Sequence, residues 1–275
     1  MDVYAQSRYA PRAGNTPPPL QVMDADPTVV DAAVRFCDDV LASPNVTLGS
    51  RVGSPVGSKM PMKVKVPIMD SSGEEVLSMV FEVPKLYEWH GSIVTAEGVS
   101  VARMSNKSRP RAACGQDIFT EPVPIEWGGA RFGEVNEAPD PCHPCVPRAY
   151  GNPGLFAHGH GDRIYLSMAE SNPTKLKLCK AACWLLPLGI VPSFFVLLRM
   201  CCVPEEIAFR DGSGEEKVIG KRVMPAPCTD GCDLLRGSVL HFEDMTPEQR
   251  RLALVALMYN FAESPGVSRP VESGG

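Results

Sequence analysis

Hydrophobic residues follow different periods in different parts of the chain. Over residues 28–41 they recur at helical spacing, with Val29, Val30, Ala33, Val34, Cys37, Val40 and Leu41 on one face. Asp26-Pro27 opens this segment. The spacing predicts an amphipathic helix that docks on a larger domain, with Cys37 as a packing residue. From Met62 the period falls to two. Residues 63–70 alternate, Ser71-Ser72-Gly73-Glu74 turns, and residues 75–83 return, which predicts a β-hairpin. Residues 92–95 with 99–103, and 207–210 with 217–221, repeat the arrangement around Ala96-Glu97-Gly98 and Asp211-Gly212-Ser213-Gly214-Glu215. Residues 70–76 and 211–218 look like two copies of one unit, and residues 163–168 add a further strand. Repeated hairpins predict a meander that closes on itself or stacks as a sandwich.

The last hydrophobic stretch has no polar face at all. Residues 246–261 begin with a complete helix start: Thr246 as cap, Pro247 in the first helical position, Glu248 at the positive end of the dipole, and Gln249 placed to reach back to the Thr246 N–H. From Leu252 to Met258 every position is apolar. Such a helix is buried on all sides or lies in lipid. The run is too short for a bilayer, which needs ~20 apolar residues. The expected place is therefore a core helix, either between two layers or threaded through a closed sheet. The repeated hairpins argue for the closed sheet.

Between these patterns the chain is less regular. Residues 1–26 are polar and proline-rich, and read as an extended tail whose Pro17, Pro18 and Pro19 offer a site to a protein partner. Residues 42–60 read as a linker, and residues 104–163 as irregular, including Trp127-Gly128-Gly129 and a small basic cluster of Lys107, Arg109 and Arg111. Residues 181–198 carry no charge between Lys180 and Arg199, while Pro187, Gly189 and Pro192 weaken a helix there. That stretch reads as core strands broken by proline turns, as a membrane-inserted or interfacial loop, or as a true span. In the membrane readings Trp184, Leu185, Leu186, Phe194 and Phe195 make the lipid contact. The expected organisation is a tail (1–26), an amphipathic helix and linker (27–60), a β-domain (61–266) with its helix at 246–261, and a flexible tail (267–275).

Composition narrows the class. A chain of 275 residues with 44% hydrophobic content builds one large domain or two small ones. Its net charge of −5 gives no general attraction to nucleic acid or anionic lipid, so any such binding needs a local basic patch. Twenty-seven prolines and 24 glycines favour turns and short strands over long helices. Met1-Asp2-Val3-Tyr4 lacks the charged-then-apolar pattern of a secretory signal, so a reducing compartment is expected. The ten cysteines (Cys37, Cys114, Cys142, Cys145, Cys179, Cys183, Cys201, Cys202, Cys228 and Cys232) then serve as packing residues, metal ligands or acylation sites rather than disulfides.

The C-terminal third carries a resemblance. A strand–Asp-Gly-Ser-Gly-Glu–strand hairpin ends in Ile219-Gly220-Lys221, a cysteine-containing loop follows, a short strand ends in Phe242, and the apolar helix runs into Asn260-Phe261-Ala262-Glu263-Ser264. This order resembles the phospholipid scramblase family and, more loosely, the tubby-like and LURP-one-like domains. The segment from Val66 to Leu77 is similar to that family's first strands, and Cys201-Cys202 before a strand–Asp-Gly turn is similar too. The resemblance covers about residues 60–266 and is densest over 201–266.

It implies a mainly β fold, a closed antiparallel barrel of about twelve strands around a buried C-terminal hydrophobic helix. It implies lipid binding at the cytoplasmic face of a membrane, such as the plasma membrane, and calcium-stimulated, ATP-independent movement of phospholipids between leaflets, without covalent chemistry. Palmitoylation would fall on Cys201 and Cys202, the one adjacent pair among cysteines that are otherwise spread out. Calcium would fall near Asp230, Asp233, Glu243 and Asp244, whose spacing differs from the family's Asp-rich segment and gives no full cage of 6–8 oxygens.

One constellation points elsewhere. Cys142-His143-Pro144-Cys145 has the two-residue gap of a zinc knuckle, and His158 and His160 follow, so Cys142, Cys145, His158 and His160 supply four tetrahedral ligands. No Gly-x-Ser-x-Gly elbow, His-Glu-x-x-His helix, phosphate-cradling loop or dinucleotide fingerprint occurs, which argues against an enzyme. The alternatives to a lipid-binding protein are a soluble adaptor with the same barrel and a zinc-stabilised interaction module.

Overall fold

A computed structural model describes residues 26–49, 52–53, 62–85, 88–107, 123–137, 153–158, 163–175, 177–178, 181, 199, 202–211, 217–224 and 237–263. The amphipathic N-terminal segment forms α1 (Pro27–Ala42). Asp26 caps it, accepting from the Thr28 backbone N–H at 2.8 Å and the Thr28 hydroxyl at 2.6 Å. These hydrogen bonds hold the Asp26 carboxyl below its usual pKa. Ala33, Cys37 and Leu41 are buried, one helical turn apart, as the spacing requires.

Among the described residues thirteen strands follow: β1 (Asn45–Leu48), β2 (Val52–Gly53), β3 (Met62–Met69), β4 (Glu75–Lys85), β5 (Glu88–Thr95), β6 (Ser100–Lys107), β7 (Val123–Trp127), β8 (Ala130–Glu137), β9 (Pro153–His158), β10 (Arg163–Glu170), β11 (Glu205–Asp211), β12 (Val218–Met224) and β13 (Ser238–His241). They form one antiparallel sheet in which β2 to β13 lie in sequence order, a simple meander, and β1 lies beside β13. The register is Asn45 opposite His241 and Leu48 opposite Ser238. β1 also pairs with β3, through Thr47 opposite Met69 and Leu48 opposite Ile68. The short β2 pairs farther along β3, at Val52 opposite Lys65.

Alternate residues of β3, β4 and β5 enter one core. Val64, Val66 and Ile68 from β3, Leu77, Met79 and Phe81 from β4, and Trp89 and Ile93 from β5 are all buried there. The predicted hairpins β3–β4, β5–β6 and β11–β12 are present. Two stretches read as irregular contain strands. Residues 42–60 hold β1 and β2, and residues 104–163 hold β7, β8 and β9. Length explains the first, since four residues give no readable period. In the second, Gly128 and Gly129 take φ of 60° and 78° and join β7 to β8 in a two-residue turn.

The apolar C-terminal stretch is α2 (Pro247–Glu263). Every residue from Leu252 to Tyr259 is buried. The helix touches β5, β9, β10 and α1, elements from separate parts of the sheet. Its expected capping box is present: the Thr246 N–H donates to Gln249 Oε1 at 2.9 Å, and the Gln249 N–H donates to Thr246 Oγ1 at 3.3 Å. Gly91 on β5 lets the helix approach, because a Cβ there would stand 3.2 Å from the Met258 side chain. Tyr259 meets Trp89 edge to face, with ring centres 5.8 Å apart.

Candidate functional site

The N-terminal end of α2 gathers charged and polar contacts from several elements. Arg250 and Arg251 stand there, side by side, where an otherwise apolar helix begins. Arg251 makes a bidentate pair with Asp38 of α1, with Nε to Oδ1 at 2.8 Å and Nη2 to Oδ2 at 2.5 Å. Its guanidinium also lies over the Trp127 ring, 5.5 Å from the centre. Arg250 donates from Nη1 to the backbone carbonyls of Leu41 (2.5 Å) and Ser43 (3.2 Å), and from Nε to that of Met245 (3.2 Å). Its guanidinium faces the Phe242 ring at 5.3 Å. A cation thus satisfies carbonyls at the C-terminal end of α1, where the helix dipole is negative.

Trp127 completes this corner. It ends β7, packs on Phe132 with ring centres 5.8 Å apart, and is 6% exposed. The next residue, Gly128, lies against Val34 of α1. The indole Nε1 is buried and has no hydrogen-bond partner among the described residues. On α1, burial chiefly, and then the Asp38 charge, push the Cys37 thiol up to about 12. That thiol is no nucleophile near neutral pH. Two guanidiniums at a helix N-terminus, with a spare indole N–H nearby, form a donor set for anionic oxygen rather than a centre for covalent chemistry.

The residues singled out by sequence lie apart from this corner or outside the described residues. Trp184, Leu185, Leu186, Phe194, Phe195 and Cys201 lie outside them, as do Asp230, Asp233, Cys142, Cys145 and His160. Cys202 is described, and it is exposed. His158 is the last residue of β9. Glu243 and Asp244 are exposed in the turn between β13 and α2, and Asp244 accepts from Lys217 Nζ at 2.8 Å. Among the described residues no three His, Cys, Asp or Glu side chains come together to hold a metal ion.

No described helix is long and apolar enough to cross a membrane. Asp38, Trp127, Arg250 and Arg251 do not stand out in the sequence as one site. The available signal is the Arg250-Arg251 pair at the head of an apolar helix, because charge there must be answered by a partner from elsewhere in the chain. No family model, curated protein or solved structure matches the chain.

Proposed function

We propose that the chain is a lipid-binding module similar to the phospholipid scramblase family, a closed twelve-stranded barrel around α2. The observation that carries this reading is the helix itself, buried from Leu252 to Tyr259 by strands distant in the sheet. Closure is supported by β1, which pairs with β13 on one side and β3 on the other. On this reading β1 and β3 to β13 make the ring, and β2 is an appendage of β3.

A helix filling the bore leaves no conduit for lipid, so lipid meets the outside of the module. Trp184, Leu185, Leu186, Phe194 and Phe195 are the proposed contacts. Acyl chains on Cys201 and Cys202 would add the two-chain anchor at which membrane attachment becomes stable. The exposed position of Cys202 supports that assignment. Calcium-stimulated movement of phospholipid between leaflets is the finer reading, and no step of it is routed here through a metal.

The test is flotation of the purified, unacylated chain with liposomes, with and without calcium, beside a Phe194→Asp/Phe195→Asp variant. Flotation of the wild type and its loss in a folded variant support membrane contact through residues 181–198. No flotation of the wild type removes direct lipid contact and favours the adaptor reading.

A further inference from the structure

The corner where α1 covers α2 holds the donors of a phosphate site, and its acceptors come from the protein itself. Arg251 carries a carboxylate in the bidentate geometry that a phosphate also satisfies. Arg250 carries two carbonyl oxygens on one nitrogen. Both arginines belong to the first turn or so of α2, where the dipole favours negative charge. The Trp127 Nε1–H sits in the same corner, in the ring that Arg251 covers, and it is buried without a partner among the described residues. A buried N–H left unpaired costs stability that an apolar ring would not, and no described residue occupies this donor.

The covering element is one helix. α1 reaches the sheet through the short link at Ser43 and Pro44, and it meets α2 through one ion pair, Asp38 to Arg251, and the Arg250 hydrogen bond to the Leu41 carbonyl, beside the buried Ala33, Cys37 and Leu41. Flanking that seam, Val29 and Phe36 are exposed, two turns apart.

We infer that this corner is a phosphate-binding site, with Arg250, Arg251 and the Trp127 N–H as donors, in which Asp38 and the terminal carbonyls of α1 stand in for the ligand's oxygens. The ligand is a phosphate ester, and it competes with α1 for the two guanidiniums. The lipid-binding reading bears only on its source, the headgroup of a phospholipid rather than a soluble phosphate.

The full chain is titrated calorimetrically with glycerol 3-phosphate. It is also floated with vesicles of phosphatidylcholine alone and with added phosphatidic acid. The variants are Asp38→Asn, which removes the internal competitor at constant size, Arg251→Gln, and Trp127→Phe, each checked for fold by circular dichroism. Asp38→Asn is expected to bind the phosphate probe about tenfold more tightly than wild type, since the competent fraction rises. Arg251→Gln is expected to abolish binding, and Trp127→Phe to weaken it severalfold.

Tighter binding of both glycerol 3-phosphate and acidic vesicles supports the site and its lipid source. Tighter binding of glycerol 3-phosphate without vesicle binding keeps the site and removes the lipid reading. Vesicle binding that is equal in all forms, with no glycerol 3-phosphate binding, keeps the lipid reading through another surface and overturns this site. Absence of binding in every folded form overturns it as well. Should Asp38→Asn fail to fold, wild type against Trp127→Phe decides, and equal affinities overturn the site.

Discussion

Gly220 on β12 lies directly against the carbonyl oxygen of His241 on β13, where a Cβ would come within 2.6 Å of that backbone atom. It would also come within 2.5 Å of the Met245 methyl group, which can swing away, whereas the carbonyl cannot. Gly220→Ala is therefore expected to cost about 1–3 kcal/mol by overpacking. Gly91→Ala meets only the flexible Met258 side chain and the Trp89 ring edge, at 3.2 and 3.4 Å, and should cost less. Urea midpoints of the two variants beside wild type check the order.

A helix packed on one side tolerates truncation on the other. α2 has no tolerant side between Leu252 and Tyr259. Leu252→Ala, Leu254→Ala and Leu257→Ala, which sample different faces, are each expected to lose about 2–5 kcal/mol. Equilibrium unfolding that finds one of these near neutral would place a face of the helix at solvent.

The start of the same helix allows a finer measurement. Thr246 and Gln249 satisfy each other's backbone N–H groups. Thr246→Ala is expected to cost about 1 kcal/mol. The double variant with Gln249→Ala should cost less than the two single changes added, since each removes part of the same box. Thermal melts of the four proteins of the cycle give the coupling.

Cys37 and Cys202 should differ sharply in reactivity. Cys37 is wholly buried and its thiol is raised to about 12, whereas Cys202 is exposed. In the native protein at mildly alkaline pH, a maleimide should reach Cys202 promptly and reach Cys37 only in denaturant. Peptide mapping by mass spectrometry distinguishes the two.

His241 gives a pH signature. Burial first, and the Lys221 charge second, hold its imidazole below the usual value, against a smaller pull upward from Glu243. The unfolded chain therefore takes up a proton at this position at a higher pH than the folded one. The stability contributed by neutral His241 is fully present above the unfolded pKa of about 6.5 and is lost as pH falls toward the folded value. The stability difference between wild type and His241→Gln should shrink in favour of the variant over that window, which urea unfolding at successive pH values reads directly.

What the sequence made legible was local. The period of two in β3 and β4, the period of 3.6 in α1, and the Thr246-Pro247-Glu248-Gln249 start of α2 each fit inside a short window, and each is where it was expected. β1 is different. Asn45-Val46-Thr47-Leu48 is a strand because β13 and β3 offer it hydrogen bonds, and neither partner is near it in sequence. The β7–β8 hairpin has a local signature, Gly128-Gly129 at positive φ, but Pro124 obscures the strand before it. The corner at Arg250 and Arg251 was illegible for the same reason as β1. All its acceptors but the Met245 carbonyl, namely Asp38, Leu41 and Ser43, come from a segment about two hundred positions away in the chain.

The pairing of β1 also sets the order in which this molecule is able to assemble. Asn45 emerges in synthesis long before its partner His241. Until then β3 presents a side that β1 alone cannot stabilise, and β1 lacks its whole pairing with β13, the longer of its two. Contacts so distant in sequence form late and slowly. The half-built sheet meanwhile carries open edges on which another chain can pair. A nascent chain is therefore most vulnerable to aggregation just before its last strand arrives. Any change that delays β13 should lower the yield of folded protein more than its stability.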